Sequence, residues 1–419
     1  MNIYDFFILD AGLRAFVAAI LVGGVCGVLG CFIVLRNMSL IGDALSHAVL
    51  PGIVVAFVFF GYSTSAFFAG SVISGLLCAL LITWLQDKVK VKNDAAIGIV
   101  FTMMFSLGVI GISALSHRQG VHLDLKDFLF GNILAVSPQD LVASLIMAIA
   151  VLMVIAIYYR TLFVVSFQST IARTLGIHPK KIHYLLMLLL AITVVASLRS
   201  VGVILVVAML VTPASAALLL ATQLLRVILL SAIIGILSSI SGLIIAIQFN
   251  FPPGPSMAVV TTLFYLMIVV AAPGKGLFSR WWIRRQVENR VIIEDIVKNL
   301  YKLEFDHVSP ETIQSLTGHS KNKLDKWLNV LQKRKLVIWE NNEIKLTDEG
   351  KIRANQLIRA HRLWETFLVD ELGLDEDQIH SEAEVYEHYL PDEILQEVDK
   401  KLGYPSRDPH GSTIPKERT

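Results

Sequence analysis

Asp43 and His47 stand four residues apart in RNMSLIGDALSHAVLPG, residues 36–52, inside a stretch otherwise apolar enough to lie in a bilayer. On a helix that spacing stacks both side chains on one face. An acid at mid-bilayer costs roughly 2.5–3.5 kcal/mol on insertion scales, so it is expected to face a protein interior and find a partner. A carboxylate oxygen beside an imidazole nitrogen is a ligand pair for a divalent first-row transition metal; the same pair serves equally as a hydrogen bond that glues helices together. A second ionisable set falls late in the chain. His361 and Glu365 are four apart, Glu384 and Glu387 three apart, and His388 follows directly. Those spacings put each set on one helix face, where solvation competes with any ligand role.

The elements that must position these groups follow from composition. The 419 residues are 55% hydrophobic and 17% charged, with a mean hydropathy of +0.65, which describes a membrane protein. The average hides a split: residues 12–273 are almost uninterrupted apolar runs, and residues 274–419 are rich in Lys, Arg, Asp and Glu. A net charge of +2 selects neither nucleic acid nor acidic substrates. Cys26, Cys31 and Cys78 all lie in apolar runs without CxxC spacing, which supports neither a disulfide framework nor a zinc knuckle. MNIYDFFILD lacks the basic flank of a signal peptide, so the first run is expected to stay as a span.

Runs of spanning length lie near 12–34, 40–61, 64–86, 94–115, 138–158, 182–199, 201–222, 227–248 and 256–273, giving eight or nine helices. Lys88, Lys90 and Lys92, then Lys180 and Lys181, then Arg280, Arg284 and Arg285 are the basic connections, and the positive-inside rule places all of them in the cytoplasm. The polar region is then cytoplasmic and, with nine spans, the N-terminus external. Gly23, Gly24, Gly27 and Gly30 permit close helix approach. FQSTIARTLGIHPKK, residues 167–181, is a short amphipathic piece ended by Gly176 and Pro179, suited to docking a soluble partner or to being an inert loop. His117, His122 and Asp124 lie on an external loop, where they either catch metal or are simply solvated, and Asp94 is expected to cap the fourth span.

Within the polar region, LFSRWWIRRQVENR reads as a basic and aromatic anchor at the membrane surface. VIIEDIVKNLYKL, residues 291–303, has apolar positions at helical spacing. Ser309 caps a second helix with Pro310 at its first position and Gly318 at its end. SKNKLDKWLNVLQKR, residues 320–334, is a third helix bearing Lys321, Lys323 and Lys326, and KLVIWENNEIKLT is a hairpin turning at Asn341 and Asn342. Three helices and a two-stranded wing make a winged helix-turn-helix. A long helix, 347–371, follows.

LGCFIVLRNMSLIGDALSHAVLPGIVVAF, DAAIGIVFTMMFSLGV, FLFGNILAVSPQDL, ARTLGI and LRSVGVILVVAMLVTPASAALLL resemble, in order and over essentially all of residues 1–273, the manganese, zinc and iron permease family of ABC importers. The resemblance implies a homodimeric permease in the bacterial inner membrane, with Asp43 and His47 as metal-coordinating residues of the translocation path. It also implies that Ala172, Arg173, Leu175 and Gly176 belong to the segment that couples to a separate ABC ATPase subunit, and that an extracytoplasmic binding protein delivers the metal. No G-x-x-x-x-G-K-[ST] motif occurs, so no nucleotide is expected on this chain and it is read as a transporter subunit rather than an enzyme. Mixed oxygen and nitrogen ligands suit Mn2+, Fe2+ or Zn2+ better than Ca2+ or Mg2+.

RAHRLWETFLVDELGLDEDQIHSEAEVYEHYLPDEI, followed by LGYPSRDPHGSTIP, is similar to the metal-dependent repressors typified by the diphtheria toxin repressor and the manganese transport regulator, a likeness that covers roughly residues 291–415. It implies metal ligands at His361, Glu384, Glu387 and His388, with Glu365 on a ligand of the iron branch and Asp295 on an N-terminal-helix ligand. Glu384 stands where iron-responsive members have Cys, and a hard oxygen leans toward manganese. Two departures stand out. Lys298 replaces a second acidic ligand, and Asp325 and Trp327 fall on the face expected to read DNA, where an acid opposes phosphate.

The expected architecture is therefore mainly α. A polytopic helical bundle (1–273) and a juxtamembrane linker (274–290) precede a winged helix-turn-helix (291–346), metal-binding and dimerisation helices (347–405) and a tail (406–419). The expected function is a permease for a divalent transition metal, manganese favoured, with a fused metal-responsive domain. The alternative is a membrane-tethered or proteolytically released repressor, with Lys321, Lys323 and Lys326 on DNA.

Overall fold

The spans pack through glycine. In the computed structural model, which describes residues 10–119, 131, 133–303, 308–318, 320–340 and 343–416, helix α1 (Asp10–Leu35) is buried along most of its length. A Cβ added at Gly27 would sit 2.7 Å from the carbonyl oxygen of Ser231, a separation no real side chain tolerates. The approach is sealed by the Ser231 hydroxyl, which donates to the Gly27 carbonyl at 2.7 Å. Apolar burial cannot drive helices together in lipid, so close backbone contact and such hydrogen bonds do.

The remaining membrane helices are α2 (Ile41–Phe60), α3 (Thr64–Trp84, running on into a π turn, Leu85–Val89), α4 (Asn93–Gln119), α5 (Pro138–Ile157), α6 (Tyr159–Phe167), α7 (Ser169–Thr174), α8 (Pro179–Leu220), α9 (Leu224–Phe249) and α10 (Pro253–Ala271). α8 is two spans joined at Gly202, whose φ of 79° breaks the helix. Among the described residues nine stretches are long and apolar enough to cross a membrane, the upper of the two counts expected. Asp94 is not a cap: the helix already includes Asn93, so Asp94 sits inside the first turn and meets the dipole there. Ser63 and Ser137 do cap, each accepting from a backbone N–H.

The chain divides into two compact units, Met1–Arg280 and Trp281–Thr419. α11 (Leu277–Lys302) starts within the last residues of the first and runs unbroken through the basic and aromatic segment into VIIEDIVKNLYKL of the second. α12 (Pro310–Thr317) starts at the Ser309 cap and ends at Gly318 with φ 67°. α13 (Lys321–Lys333) precedes strands β1 (Val337–Glu340) and β2 (Glu343–Leu346), paired antiparallel with Val337 opposite Leu346. Residues 341–342, the expected turn, lie outside the described residues. Ile296 and Val297 of α11, Ile313, Leu324, Leu328 and Ile344 form one core, so three helices and the wing fold as a winged helix. Thr347 then caps α14 (Asp348–Asp370), accepting from Gly350 N–H at 3.0 Å and donating to the Lys335 carbonyl at 2.6 Å. α15 (Glu376–Tyr386) and α16 (Asp392–Lys401) complete the unit, and the tail is tied back by Arg359, which donates to the Pro415 carbonyl at 2.6 Å.

Candidate metal centres

Asp43 and His47 occupy the first two turns of α2, with Asp43 Oδ1 3.6 Å from His47 Nε2. That is beyond a hydrogen bond, so neither group satisfies the other. Phe101 and Phe105 of α4 present their rings edgewise to the imidazole at 5.4 and 5.2 Å, walling one side. α4 comes this close because Gly108 faces Leu50 and Pro51, with no room for a Cβ. Pro51 has no N–H to give to the His47 carbonyl, so that oxygen also lacks its helical partner. As ligands, two side chains would fall short of a full shell.

On α7, Ala172 is buried while Arg173, Leu175 and Gly176 are exposed. Gly176 takes φ 74° and the Ile177 N–H returns to the Ala172 carbonyl at 2.9 Å, a helix end that leaves the Leu175 side chain in the open. The His117 side chain, His122 and Asp124 lie outside the described residues.

The second unit gathers ionisable side chains in two adjoining groups. In the first, His361 and Glu365 on α14 meet His380 on α15. His361 Nε2 lies 3.0 Å from Glu365 Oε1, His380 Nδ1 lies 2.9 Å from the same oxygen, and the two nitrogens are 3.2 Å apart. Ligands at right angles around an ion with bonds of about 2.1–2.2 Å are themselves about 3.0 Å apart, so this triangle fits one face of an octahedral divalent ion. His380 is largely exposed and His410 Nε2 stands 3.9 Å from Glu365, so the open side faces water.

In the second group His388 Nε2 is 3.2 Å from Asp295 Oδ1 and 3.5 Å from Glu387 Oε1, while its Nδ1 is 2.8 Å from Glu294 Oε2. Glu387 bridges the two groups, its Oε2 lying 2.7 Å from His361 Nδ1. Lys298 completes the arrangement, donating to both Glu387 oxygens at 2.7 Å. Glu384 joins neither group; it is exposed and lines a cavity of about 200 Å³ with Asp295, Lys298 and Lys302.

These contacts set the protonation states. Burial would raise the Glu365 carboxyl, but His361 and His380 outweigh it and hold it at about 2. Burial would likewise raise Glu294, and hydrogen bonds from His388 and Arg353 bring it to about 2. For His388, burial favours the neutral ring, yet Asp295 and Glu294 prevail and lift it to about 9. His361 is raised by Glu365 and Glu387 against the pull of burial.

His380, Glu294 and His410 were not singled out in the sequence. His380 carried a readable signal, because 380, 384, 387 and 388 repeat at helical intervals; Glu294 and His410 carried none. Lys321, Lys323 and Lys326 are exposed on α13, and Lys323 and Lys326 line a cleft of about 1300 Å³ with Trp282, Arg285, Trp327 and Arg334.

Among the described residues, nine stretches long and apolar enough to span a membrane, followed by a winged helix with clustered carboxylates and imidazoles, describe a multi-pass membrane protein. The chain belongs to the ABC 3 transport family, whose model matches residues 9–272. Residues 347–416 match a second family, the iron dependent repressor, metal binding and dimerisation domain. Among similar proteins, the manganese transport system membrane protein MntC of Halalkalibacterium halodurans is 43% identical over 269 residues, 64% of this chain and 90% of that one. The manganese import system permease protein ScaB of Streptococcus parasanguinis is 43% identical over 260 residues, 62% of this chain and 90% of its own length. The structure of PsaBC from Streptococcus pneumoniae in complex with Fab superposes with a TM-score of 0.58 at 39% identity, covering 65% of this chain and 98% of that one.

Proposed function

We propose that this protein is the permease subunit of an importer of divalent transition metal ions, manganese foremost, with its own cytoplasmic metal-responsive domain. The observation that carries the reading is the Asp43 and His47 pair: two potential ligands one turn apart, not bonded to each other, within the family-matched region. In a homodimer the pairs from two copies give two oxygens and two nitrogens around a shared path in the bacterial inner membrane. That shell strips part of the water from Mn2+, Fe2+ or Zn2+, and relatives named for manganese transport favour the first. Arg173, Leu175 and Gly176, exposed around the buried Ala172, form the surface that docks a separate ABC ATPase, and an external binding protein supplies the ion.

The cytoplasmic unit holds a regulatory ion through His361, Glu365 and His380, with Asp295, Glu387 and His388 as the adjoining group. Bound there, the ion cross-links α14 to α15. Any preference of the ion for one arrangement of the domain shifts the population of the whole permease, so internal metal feeds back on import. Exposed Lys321, Lys323 and Lys326 keep a second reading in play, a tethered repressor that binds DNA.

Uptake of radioactive manganese, in cells that express the chain with its ATPase and binding protein, tests the proposal. D43N and H47Q should abolish uptake at unchanged membrane abundance. Unchanged uptake in both variants overturns the transport reading. Sequence-selective, salt-sensitive binding of duplex DNA by the full chain favours the repressor instead.

A further inference from the structure

We infer that the cleft between α11 and α13 binds the headgroup of an anionic phospholipid, so that the helix expected to read DNA instead seats the second unit on the bilayer. Nothing in this depends on the metal centres.

The cleft has a volume of about 1300 Å³ and is lined wholly by residues of the second unit. α11 contributes Arg285 and Arg290 to its walls, and α13 with the residue after it contributes Lys323, Lys326 and Arg334. Arg290 also donates to Glu294 at 3.2 Å, so the other four carry most of the field. Among the described residues the walls hold a single acid, Glu288, which already accepts from Arg284 at 2.9 Å. The Arg285 guanidinium lies over the Trp281 ring at 4.6 Å, which orders it before a ligand arrives. Between the cations the surface is apolar, made by Trp282, Val287, Ile293, Trp327 and Val330. A phospholipid matches both parts, its phosphate meeting the cations and its glycerol and upper acyl carbons the apolar wall.

The same geometry disfavours DNA. Lys323, Lys326, Trp327 and Val330 recur at three and four residues and so share one face of α13, the face turned to the cleft. A major groove about 12 Å wide admits one helix about 10–12 Å across, so with α11 as the opposite wall that face has no room for a duplex. The side left open carries Lys321 and Asp325, four apart, and an acid there repels phosphate. A lipid headgroup, far smaller than a duplex, enters where DNA cannot.

Distance along the chain favours the bilayer as well. Only residues 272–276 separate α10, the last span, from α11. Headgroups are therefore at high effective concentration around the cleft, whereas an operator has to be met by diffusion.

The test uses the full-length protein in nanodiscs of phosphatidylcholine, with phosphatidylglycerol added in steps. A donor dye on N322C, an exposed position of α13 off the cleft wall, reports energy transfer to an acceptor-labelled lipid; Cys26, Cys31 and Cys78 are buried. Transfer should rise with phosphatidylglycerol and fall back in high salt. K323Q and K326Q should each weaken docking by roughly fivefold, the weight of one cation at an anionic surface. K321Q, off the cleft, should leave it unchanged. All three replace exposed side chains, and a thermal melt of each variant checks that it folds. Transfer that ignores phosphatidylglycerol overturns the proposal, and an equal effect of K321Q overturns it by reducing the attraction to diffuse surface charge. So does selective binding of duplex DNA that K323Q and K326Q abolish while transfer stands unchanged, since α13 would then read DNA.

Discussion

Asp43 and His47 face each other across 3.6 Å on one side of α2 without a hydrogen bond between them. At that separation the two form a loose i, i+4 ion pair on one helix, and neither ligand atom is taken up by a hydrogen bond to the other. Left open, the pair has ligand capacity to spare.

Loss of either ligand should therefore separate transport from stability. D43N and H47Q are expected to change the melting behaviour in detergent by less than about 1 kcal/mol, since the pair contributes little to holding α2. Manganese uptake should fall to background. Equal loss of uptake and of folded protein would instead assign the pair a packing role.

The wall of the site depends on Gly108. The first carbon of a side chain there would lie 2.4 Å from Leu50 Cβ and 3.2 Å from Pro51 Cδ, so G108V must push α4 away from α2. Overpacking of this kind costs about 1–3 kcal/mol. The expected result is a lower unfolding temperature together with weakened uptake, because Phe101 and Phe105 leave the imidazole as α4 shifts.

Leu175 offers an apolar side chain, 63% exposed, one turn on from the exposed Ile171. L175D should disrupt docking of the ATPase while leaving metal binding by the permease intact. Co-purification of the ATPase with the variant, set beside a manganese titration, checks both halves of that expectation.

The metal-free soluble unit should be most stable in mildly acidic solution. His388 is raised to about 9, so its contribution is complete below the unfolded value near 6.5 and is lost as pH rises through about 9. Glu294 and Glu365 are held near 2, so theirs is complete above about 4.5 and is lost as pH falls toward 2. Thermal melts across pH should show a plateau from about 4.5 to 6.5 with decline on both sides, and H388Q should flatten the alkaline side. Metal must displace protons from raised imidazoles, so manganese binding should release protons and tighten with pH above neutrality.

Much of this was legible in the chain. Spans announce themselves because a bilayer selects on length and apolarity alone, and the cap at Ser309 and the turn at Gly318 follow from backbone chemistry. The i, i+4 pairs at 43/47 and 361/365 are local geometry, fixed as soon as the helix forms. The junction at 274–290 was less visible, because charge composition marks a membrane surface without saying where the helix stops; the chain leaves helix at 272–276 and α11 then runs unbroken from Leu277.

What local pattern could not supply is who meets whom across elements. His380 reaches His361 and Glu365 only because α15 folds back on α14, and Glu384, on the same helix as His380, ends up elsewhere. Lys298 and Glu387 are 89 residues apart, and nothing in their spacing predicts that an ammonium will sit on that carboxylate. The sequence by itself determined the helices and which residues share a helix face, because those depend on a chain and its near neighbours. The tertiary structure decided which charges are paired and which remain for a metal, because desolvation makes buried charges choose partners only when distant helices close around them.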